Sequence, residues 1–348
     1  MPNDLDQQYT IGSSNWRKTL RQNYTRTYII ITLFFLIYCG IGLLVDMFLQ
    51  SAHYPQASIP QLFTALITFR LFPIATLIML AIASISLFIS YALYDKLMLL
   101  GTEYHEITPE TAQNTAEQQL YNVVEEMKIA AGLRYMPKVF IIDADYMNAF
   151  ASGYSEKSAM VAITRGLMEK LNRDELQAVM AHELSHIRHM DIKLTLTASL
   201  LSNLSIIAID ILFRGVLFSS RDEENKSRNS LAAIILILRF ILPVISVFML
   251  LYLSRKRELM ADAGCVELMR ANQPLASALL KIQDDHVQNQ NQYARLYQQT
   301  PHENVRREAY IFDPDETGIQ SFTSVNHLLS THPSMEERLN ALGFKKRS

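Results

Sequence analysis

Residues 182–186 read His182-Glu183-Leu184-Ser185-His186, and this stretch determines which structure the residues around it must form. Two histidines four positions apart lie on one face of an α-helix, so both imidazole rings can reach a single zinc ion. Glu183 lies about 100° further round the helix, beside the metal. There it can accept a proton from a zinc-bound water and pass it to a leaving amine. The stretch therefore predicts two zinc ligands, His182 and His186, and a general base, Glu183.

The residues before this motif favour the helix that it needs. Asn172 is a good N-terminal cap, and Glu175 three positions later completes the pattern of a capping box. Apolar residues then repeat at helical spacing and can form a buried face: Leu176, Val179, Met180 and Ile187. The alternative is a chance match on a charged amphipathic helix, so a metal site needs support from elsewhere in the chain.

A catalytic zinc site needs a third protein ligand and one open position. The extended pattern H-E-x-x-H-x-x-G-x-x-H would supply that ligand, but here its last two defined positions are His189 and Ile192. The best candidate elsewhere is Glu258, which shares a helix face with Asp262 four positions later. One carboxylate could bind the metal while the other accepts a hydrogen bond from a ligand histidine. The alternative is a solvated charged helix end, in which Glu258 pairs with Arg255.

Four motifs in this chain together resemble one protein family. In chain order they are N-A-F-A-S-G at 148–153, H-E-L-S-H at 182–186, S-R-K-R-E-L-M-A-D-A at 254–263 and T-H-P-S-M-E-E-R-L at 331–339. Their order and content are similar to the HtpX-type membrane zinc metalloproteases, which are gluzincins related to the CAAX prenyl proteases. The resemblance covers about residues 28–343, except for a segment around 284–326 that has no close match.

The resemblance implies an activity and a setting. The family's members degrade misfolded or damaged membrane proteins in the bacterial inner membrane, together with other membrane quality-control proteases. One Zn²⁺ per chain would be the cofactor. Two alternatives remain open: a CAAX-type prenyl-protein protease, which the small number of apolar segments disfavours, and a non-catalytic membrane scaffold with a structural zinc, which has no use for Glu183.

The resemblance also implies roles for residues outside the zinc ligands. His332 would stabilise the oxyanion or polarise the scissile carbonyl, with Arg338 nearby. The alternative for these two is a capped C-terminal helix that carries Pro333 in its first turn and Arg338 in a surface pair. His189 is disfavoured as a fourth ligand, because it would close the position that catalysis needs.

Substrate binding is expected at the N-A-F-A segment. As an exposed edge strand, this segment would let a peptide backbone add as a further strand. The alternative is a plain connecting loop. The residues concerned are Asn148, Ala149, Phe150 and Ala151.

Composition agrees with a membrane enzyme. The chain has 348 residues, of which 49% are hydrophobic, a net charge of −2 and a mean hydropathy of +0.08. These values are apolar for a soluble enzyme and too polar for a pure transporter bundle, and nothing in them indicates nucleic acid as a partner. The two cysteines, Cys39 and Cys265, form neither a disulfide framework nor a zinc-ligand spacing.

Four apolar segments organise the chain. Residues 28–45 and 71–94 are uncharged and long enough to cross a bilayer. Residues 194–213 contain Asp210, and residues 231–253 contain Arg239, so both of these segments are weaker candidates. Asp210 and Arg239 could pair with each other. The alternative is that one or both of these segments are buried hairpin helices that never cross fully.

Basic residues predict the orientation. Arg17, Lys18, Arg21 and Arg26 precede the first apolar segment, whereas residues 49–60 contain no Lys or Arg. The N-terminus and the protease domain should therefore be cytoplasmic. One feature opposes this assignment if all four segments span, because four basic residues then lie on the far side: Arg214, Arg221, Lys226 and Arg228. Three acidic residues of the same loop dilute their charge: Asp222, Glu223 and Glu224.

We therefore expect a mostly α-helical chain with a small β-sheet, in which multi-pass membrane helices accompany a gluzincin-like zinc protease domain. A helix is predicted over 109–131, ending at Gly132, and strands over 138–143 and 159–164. The predicted divisions are a tail at 1–27, two transmembrane helices at 28–96, two protease parts at 97–193 and 255–348, and the further apolar helices at 194–254.

Overall fold

The computed structural model describes residues 16–93, 98–217, 226–300, 306, 309–314 and 332–344. The chain divides into two compact units. The first, here called the sheet unit, contains Met1–Tyr24, Leu93–Leu194 and Leu251–Ser348. The second, here called the apolar unit, contains Thr25–Ala92 and Thr195–Leu250. Helices dominate the described residues and one small mixed sheet accompanies them, as the sequence predicts.

The sheet unit contains a four-stranded sheet in the order β1-β2-β4-β3. Its strands are β1 (Tyr104–Ile107), β2 (Lys138–Ile142), β3 (Ala149–Ser152) and β4 (Met160–Thr164). β2 and β4 are parallel, and the other two pairs are antiparallel. Ala162 of β4 is opposite both Phe140 and Phe150, so the buried centre of the sheet is apolar. The two predicted strands are confirmed to within one residue at each end.

Among the described residues of the sheet unit, six helices that lie wholly within it pack around this sheet or follow it. They are α4 (Thr115–Ala131), α5 (Arg165–Lys170), α6 (Arg173–His189), α9 (Gln273–Gln288), α10 (Gln290–Gln299) and α11 (Met335–Ala341). The predicted end of α4 is confirmed by Gly132, whose φ of 70° is left-handed. Its predicted start at Pro109 is wrong. The hydroxyl of Thr111 accepts a bond from the Thr108 N–H in a turn, and the helix begins only after Asn114 caps it.

The motif helix α6 begins as the sequence predicts. Asn172 Oδ1 accepts a hydrogen bond from the Glu175 N–H at 3.0 Å, and Glu175 Oε2 accepts one from the Asn172 N–H at 3.0 Å. The same carboxylate also accepts bonds from Ser277 and Lys281 of α9. The capping box therefore fixes both the start of α6 and its packing against a neighbouring helix. α6 also packs against α4 and β3.

In the part of the apolar unit that the structure describes there are five helices: α1 (Trp16–His53), α2 (Ile59–Ile67), α3 (Ile74–Ala92), α7 (Asp191–Leu217) and α8 (Lys226–Met269). Among the described residues, Tyr24–His53 and Lys226–Ile245 are long and apolar enough to span a bilayer, whereas Ile74–Ile89 is a shorter apolar helix. The second apolar segment is shorter than predicted because α3 begins only at Ile74, after a turn that includes Phe69 at a φ of 57°.

Two carboxylates of the apolar unit, Asp210 and Asp46, have hydrogen-bonding partners. The predicted pair is present: Arg239 Nη2 lies 3.0 Å from Asp210 Oδ1, and Arg214 Nε donates to the other carboxylate oxygen at 2.9 Å. The buried Asp46 of α1 accepts hydrogen bonds from the N–H groups of Ala75 and Thr76 at the start of α3. Each carboxylate thus gains donors that offset part of its desolvation.

Candidate metal centre

Two helices bring the three predicted zinc ligands together. His182 and His186 come from α6, and Glu258 comes from α8; one ligand atom from each lies within 4.8 Å of the others. The two Nε2 atoms are 3.2 Å apart, and the oxygens of Glu258 lie 3.5 Å from His182 Nε2 and 3.7 Å from His186 Nε2. Two imidazoles and one carboxylate, all buried, are a donor set that zinc prefers. The residues therefore fit a zinc ion.

The ligand His182 is oriented by a buried ion pair. Its Nδ1 faces Asp262 Oδ1 at 2.9 Å, as the sequence predicts for a carboxylate behind the ligand. Both oxygens of Asp262 also accept bonds from Arg338, at 2.6 and 2.9 Å. Burial favours the neutral ring, but the carboxylates of Asp262 and Glu258 outweigh it and raise the pKa of His182 to about 9. Metal binding must therefore displace a proton from this site.

The second ligand has a partner that sequence reasoning missed. His186 Nδ1 lies 3.1 and 3.2 Å from the two oxygens of Asp191, which is buried. Met190 makes this contact possible, because its left-handed φ of 52° ends α6 and returns the chain toward the ring. A methionine in that conformation is uncommon and carries no local signal. The spacing of five residues between His186 and Asp191 can be read from the sequence, but the two side chains meet only because of the turn at Met190.

Glu258 is buried beside a second cation. Arg257 donates to Glu258 Oε1 from Nε at 3.2 Å and from Nη2 at 3.0 Å. Burial alone would raise the pKa of Glu258, but the charges of His186, His182 and Arg257 hold that pKa well below its usual range. The carboxylate is therefore ionised, as a metal ligand must be. The alternative of a solvated helix end does not describe this residue, which is 1% exposed.

Glu183 occupies a different environment from the other carboxylates. It is fully buried, and among the described residues neither carboxylate oxygen has a hydrogen-bond partner. Burial raises the pKa of Glu183, and the neighbouring His182 and His186 oppose that effect only in part. An unpartnered buried carboxylate is costly and needs a functional explanation. A proton acceptor with a raised pKa is suited to general-base chemistry near neutral pH.

The close approach of α6 and α8 depends on a glycine that was not predicted. A Cβ built on Gly264 would lie 2.6 Å from Ser185 Oγ and 2.8 Å from Ser185 Cβ. Any larger residue would push apart the two helices that carry the ligands. His189 lies on the same side, 3.6 Å from that Cβ position, and is outside the ligand cluster formed by the described residues.

His332 and Arg338 lie close to the ligands. His332 is buried, with Nδ1 3.8 Å from Glu258 Oε2, and burial lowers the pKa of His332. Arg338 is also buried and donates to Asp262 and to the Ile311 carbonyl, so it is not in a surface pair. The capped helix of the alternative hypothesis exists too, with Ser334 as its cap. Thr331 of this motif lies outside the described residues.

Strand β3 contains the last three residues of the N-A-F-A segment, but all four residues of the strand are buried, so the expected exposed edge strand is wrong. The Ile311 N–H donates to the Ala149 carbonyl at 2.9 Å, and Phe150 forms an antiparallel bridge with Tyr310. The Asn148 side chain accepts from the Phe312 N–H at 3.3 Å and donates to the Phe312 carbonyl at 3.0 Å. These contacts cover the first half of the edge that was expected to be open. The outward backbone groups of Ala151 continue the same edge.

Comparisons with known proteins agree with the class of site. Peptidase family M48 matches residues 114–344. A protein of Helicobacter acinonychis (strain Sheeba) described as "Protease HtpX homolog" is 36% identical over 328 residues, which cover 94% of this chain and 98% of the relative. A protein of the same description from Dictyoglomus turgidum is 36% identical over 259 residues, covering 74% of this chain and 79% of the relative.

One solved structure is also similar. The crystal structure of S. mikatae Ste24p matches with a TM-score of 0.45 and 18% identity, over 94% of this chain and 65% of that chain. This chain therefore spans about two thirds of the length of Ste24p.

The site and its relatives define a metal-dependent peptidase of the membrane. The chain belongs to peptidase family M48. The resemblance to the HtpX-type zinc metalloproteases that its four motifs indicate is confirmed.

Proposed function

We propose that this chain is an integral endopeptidase of the bacterial inner membrane that hydrolyses peptide bonds of misfolded or damaged membrane proteins. The observation that carries the endopeptidase chemistry is Glu183, a fully buried carboxylate without a hydrogen-bond partner among the described residues, beside three metal-ligand candidates. A structural zinc site would gain nothing from such a residue and would bear its desolvation cost. Membrane substrates are supported by the apolar helices and by the family to which the chain belongs.

His182, His186 and Glu258 would hold one Zn²⁺. A bound zinc ion supplies a Lewis acid that polarises a carbonyl and lowers the pKa of water. Asp262 and Asp191 would keep the two histidines in the tautomer that presents Nε2, because each faces an Nδ1 atom. Arg338 would in turn hold Asp262 in place through its two hydrogen bonds.

Glu183 would accept a proton from the attacking water at its carboxylate and deliver it to the departing amine nitrogen. Its raised pKa suits both halves of this transfer. His332 would donate a hydrogen bond to the oxygen of the scissile carbonyl as negative charge develops there. Its burial keeps the ring neutral, so one ring nitrogen carries a proton that it can share without a large charge to desolvate.

The substrate backbone would lie along β3 beyond the part that Ile311 covers. Ala149 directs its carbonyl to the outer edge, so Ala151, two residues further, directs its N–H and carbonyl to the same edge. Asn148 would act indirectly, by holding residue Phe312 against the strand. Pairing through the main chain suits a protease that cleaves many unfolded sequences, because such pairing reads no side chains.

The proposed topology places the N-terminus and the sheet unit in the cytoplasm, with several membrane-crossing helices. It is supported by four basic residues before the first apolar segment and by the absence of Lys and Arg at 49–60 in the sequence. A reporter fused within residues 50–60 should be extracytoplasmic, and one fused at the C-terminus should be cytoplasmic. The reverse result would place the site on the other face of the membrane.

The decisive test of the function is the variant Glu183→Gln. Glutamine keeps the shape and polarity but cannot accept a proton, so cleavage of an unfolded casein-like substrate should fall by about 10²–10⁴-fold. Zinc content and melting temperature should stay unchanged. Asp174→Asn, an exposed acid in the first turn of the same helix, is the matched control and should retain full activity. A Glu183→Gln rate within about tenfold of the parent rate would remove Glu183 as the general base.

A further inference from the structure

Ile311 connects strand β3 with the metal centre of the sheet unit. Its N–H donates to the Ala149 carbonyl at 2.9 Å, and its own carbonyl accepts a bond from Arg338. Arg338 also donates to both carboxylate oxygens of Asp262, one of which lies 2.9 Å from His182 Nδ1. One residue outside the ligand set therefore links the edge of the sheet to the carboxylate behind a zinc-ligand candidate.

The position of Arg338 depends on that carbonyl. The side chain is buried, so its guanidinium needs protein acceptors in place of water. The acceptors are the two oxygens of Asp262 and the carbonyl of Ile311. Because a guanidinium presents its N–H groups in a rigid fork, its acceptors must keep fixed places relative to one another. A displaced Ile311 carbonyl would therefore shift Arg338, and with it the carboxylate that faces His182.

The side chain of Asn148 fixes the backbone beside Ile311. Asn148 Nδ2 donates to the Phe312 carbonyl at 3.0 Å, and Asn148 Oδ1 accepts from the Phe312 N–H at 3.3 Å. The same oxygen accepts from the Ala149 N–H at 3.1 Å, which ties the side chain to its own strand. A side-chain amide has the donor and acceptor of a peptide group, so the fully buried Asn148 holds Phe312 as a paired strand would.

Two further residues determine which way the Asn148 amide points. His286 Nδ1 lies 2.8 Å from the Ile282 carbonyl, which can only accept, so Nδ1 carries the proton and Nε2 is an acceptor. The Tyr297 hydroxyl, 3.2 Å from that Nε2, therefore donates to it and accepts from Asn148 Nδ2 at 3.4 Å. Burial lowers the pKa of His286 to about 4, so the ring keeps this neutral form near pH 7. The directions of all these bonds are thus mutually consistent.

We infer that Asn148 is a positioning residue for the zinc centre, which it reaches through the backbone at Ile311 and the side chain of Arg338. Tyr297 supports this role by orienting the Asn148 amide. The inference goes beyond substrate binding at β3, and it rests on the proposed function only in taking His182 as a zinc ligand. The competing role is purely structural: Asn148 would stabilise the core around β3 and leave the metal centre unaffected.

Zinc affinity of the purified full-length protein in detergent, measured by competition with a chromophoric chelator, tests the inference. Asn148→Ala should lower the affinity by about threefold to tenfold, and Tyr297→Phe should lower it less. Tyr293→Phe is the matched control. It removes another buried hydroxyl of α10, one that bonds to Asp285 and Lys170. This control should lower the melting temperature but keep the zinc affinity of the parent.

A double-mutant cycle tests whether Asn148 acts through Arg338. Arg338→Gln alone should weaken zinc binding, because it removes the side chain that holds Asp262. Adding Asn148→Ala to Arg338→Gln should then weaken it no further. Effects that simply add would overturn the connection.

The visible spectrum of the cobalt-substituted protein is a second readout, because it reports the geometry of the metal ligands. The spectrum should change in Asn148→Ala and stay unchanged in Tyr293→Phe. An unchanged spectrum and affinity in Asn148→Ala, or equal affinities in Tyr297→Phe and Tyr293→Phe, would overturn the inference. Tyr297→Phe removes a single hydroxyl and so keeps the test available if Asn148→Ala does not fold. None of these measurements uses cleavage, so their failure would leave the assignment of Glu183 as the general base intact.

Discussion

The sheet unit and the apolar unit place their residues in opposite ways. In the sheet unit a cluster of charged groups lies inside: Glu183, Glu258, Asp262 and Arg338 are 0–2% exposed. In the apolar unit large hydrophobic side chains lie outside, among them Phe88 at 72% and Phe240 at 67% exposed. Neither pattern is expected for a protein surrounded by water, because water favours charged side chains at the surface and apolar side chains inside. Buried charge requires partners or a metal, and exposed apolar surface requires a bilayer.

Substitution of the metal ligands tests whether the buried charged groups of the sheet unit hold a metal. Its expected effect is the largest. His182→Ala, His186→Ala and Glu258→Ala should each abolish stoichiometric zinc, because two ligands cannot hold the ion as three do. The measurement is elemental analysis of purified protein. His189→Ala is the control and should keep full zinc, since His189 is outside the ligand cluster of the described residues. Full occupancy in the Glu258 variant would mean that another residue is the third ligand.

Asp191 tests whether the unpredicted turn at Met190 matters to the metal. Asp191→Ala should lower zinc affinity by about 10–100-fold, since it removes the carboxylate that orients His186. Competition with a chromophoric chelator measures the affinity without reference to activity. Asp174→Ala, at an exposed acid of α6, the helix that carries His186, should leave the affinity unchanged. An unchanged affinity in both variants would mean that Asp191 only occupies the start of α7 and does not support the ligand His186.

A buried histidine away from the metal gives a pH dependence of stability. Burial lowers the pKa of His286 to about 4, and the backbone carbonyl of Ile282 and the charges of Asp285 and Lys170 modify that effect. The unfolded chain has the higher pKa, near 6.5, so it binds the proton first as the pH falls. Stability is therefore full above about pH 6.5 and decreases toward pH 4. Between pH 7.5 and 5.5 the loss from His286 should be about 1 kcal/mol.

Thermal unfolding of the purified protein at those two pH values measures this loss. His286→Gln should make the difference between the two melting temperatures smaller, because glutamine does not titrate. Its baseline stability will be lower, since His286 also contacts Tyr297 through Nε2 at 3.2 Å. A pH difference as large as that of the parent would show that other groups, not His286, cause it.

The ion pair of the apolar unit tests whether burial in that unit strengthens a polar contact. Its expected effect is the smallest. Arg239 is 37% exposed and also stacks on Phe213 at 4.2 Å, whereas the Arg214 side chain is 71% exposed. Arg239→Ala should therefore destabilise the protein more than Arg214→Ala. A double-mutant cycle with Asp210→Ala should give a coupling of about 0.6 kcal/mol for Arg239, typical of polar contacts between membrane helices. Equal costs for the two arginines would mean that burial does not distinguish them.

The fold was predictable where one or two residues determine the backbone. The capping box of Asn172 and Glu175 and the stop at Gly132 depend on local hydrogen bonds and on a left-handed φ, and both are present as predicted. The start of α4 was predicted wrongly because Thr108 and Thr111 form a competing turn. The ends of β2 and β4 were predicted well because runs of β-branched residues rarely suit anything else.

The residues of the candidate site also differ in whether the sequence alone predicts their positions. His182, Glu183 and His186 share a single helix, so their spacing alone predicts their geometry. Glu258 and Asp262 required a resemblance, since 71 residues separate His186 from Glu258 along the chain and no periodicity links them. Asp191, Arg257 and Gly264 were missed for different reasons. Asp191 depends on the turn at Met190, Arg257 on the burial of its neighbour Glu258, and Gly264 on the close contact of two helices. The open edge of β3 was expected too widely, because Tyr310 and Ile311 lie far from it in sequence.

By itself, therefore, the sequence determined the chemistry: two histidines and a base at helical spacing, and apolar segments too long for a soluble core. These follow from contacts within a turn or from transfer to a bilayer, which depend on residue type and spacing alone. Only the tertiary structure decided which carboxylate faces which imidazole and how the outer edge of β3 is covered. Those choices depend on distances of a few ångströms between segments far apart in the chain, and local preference carries no information about them.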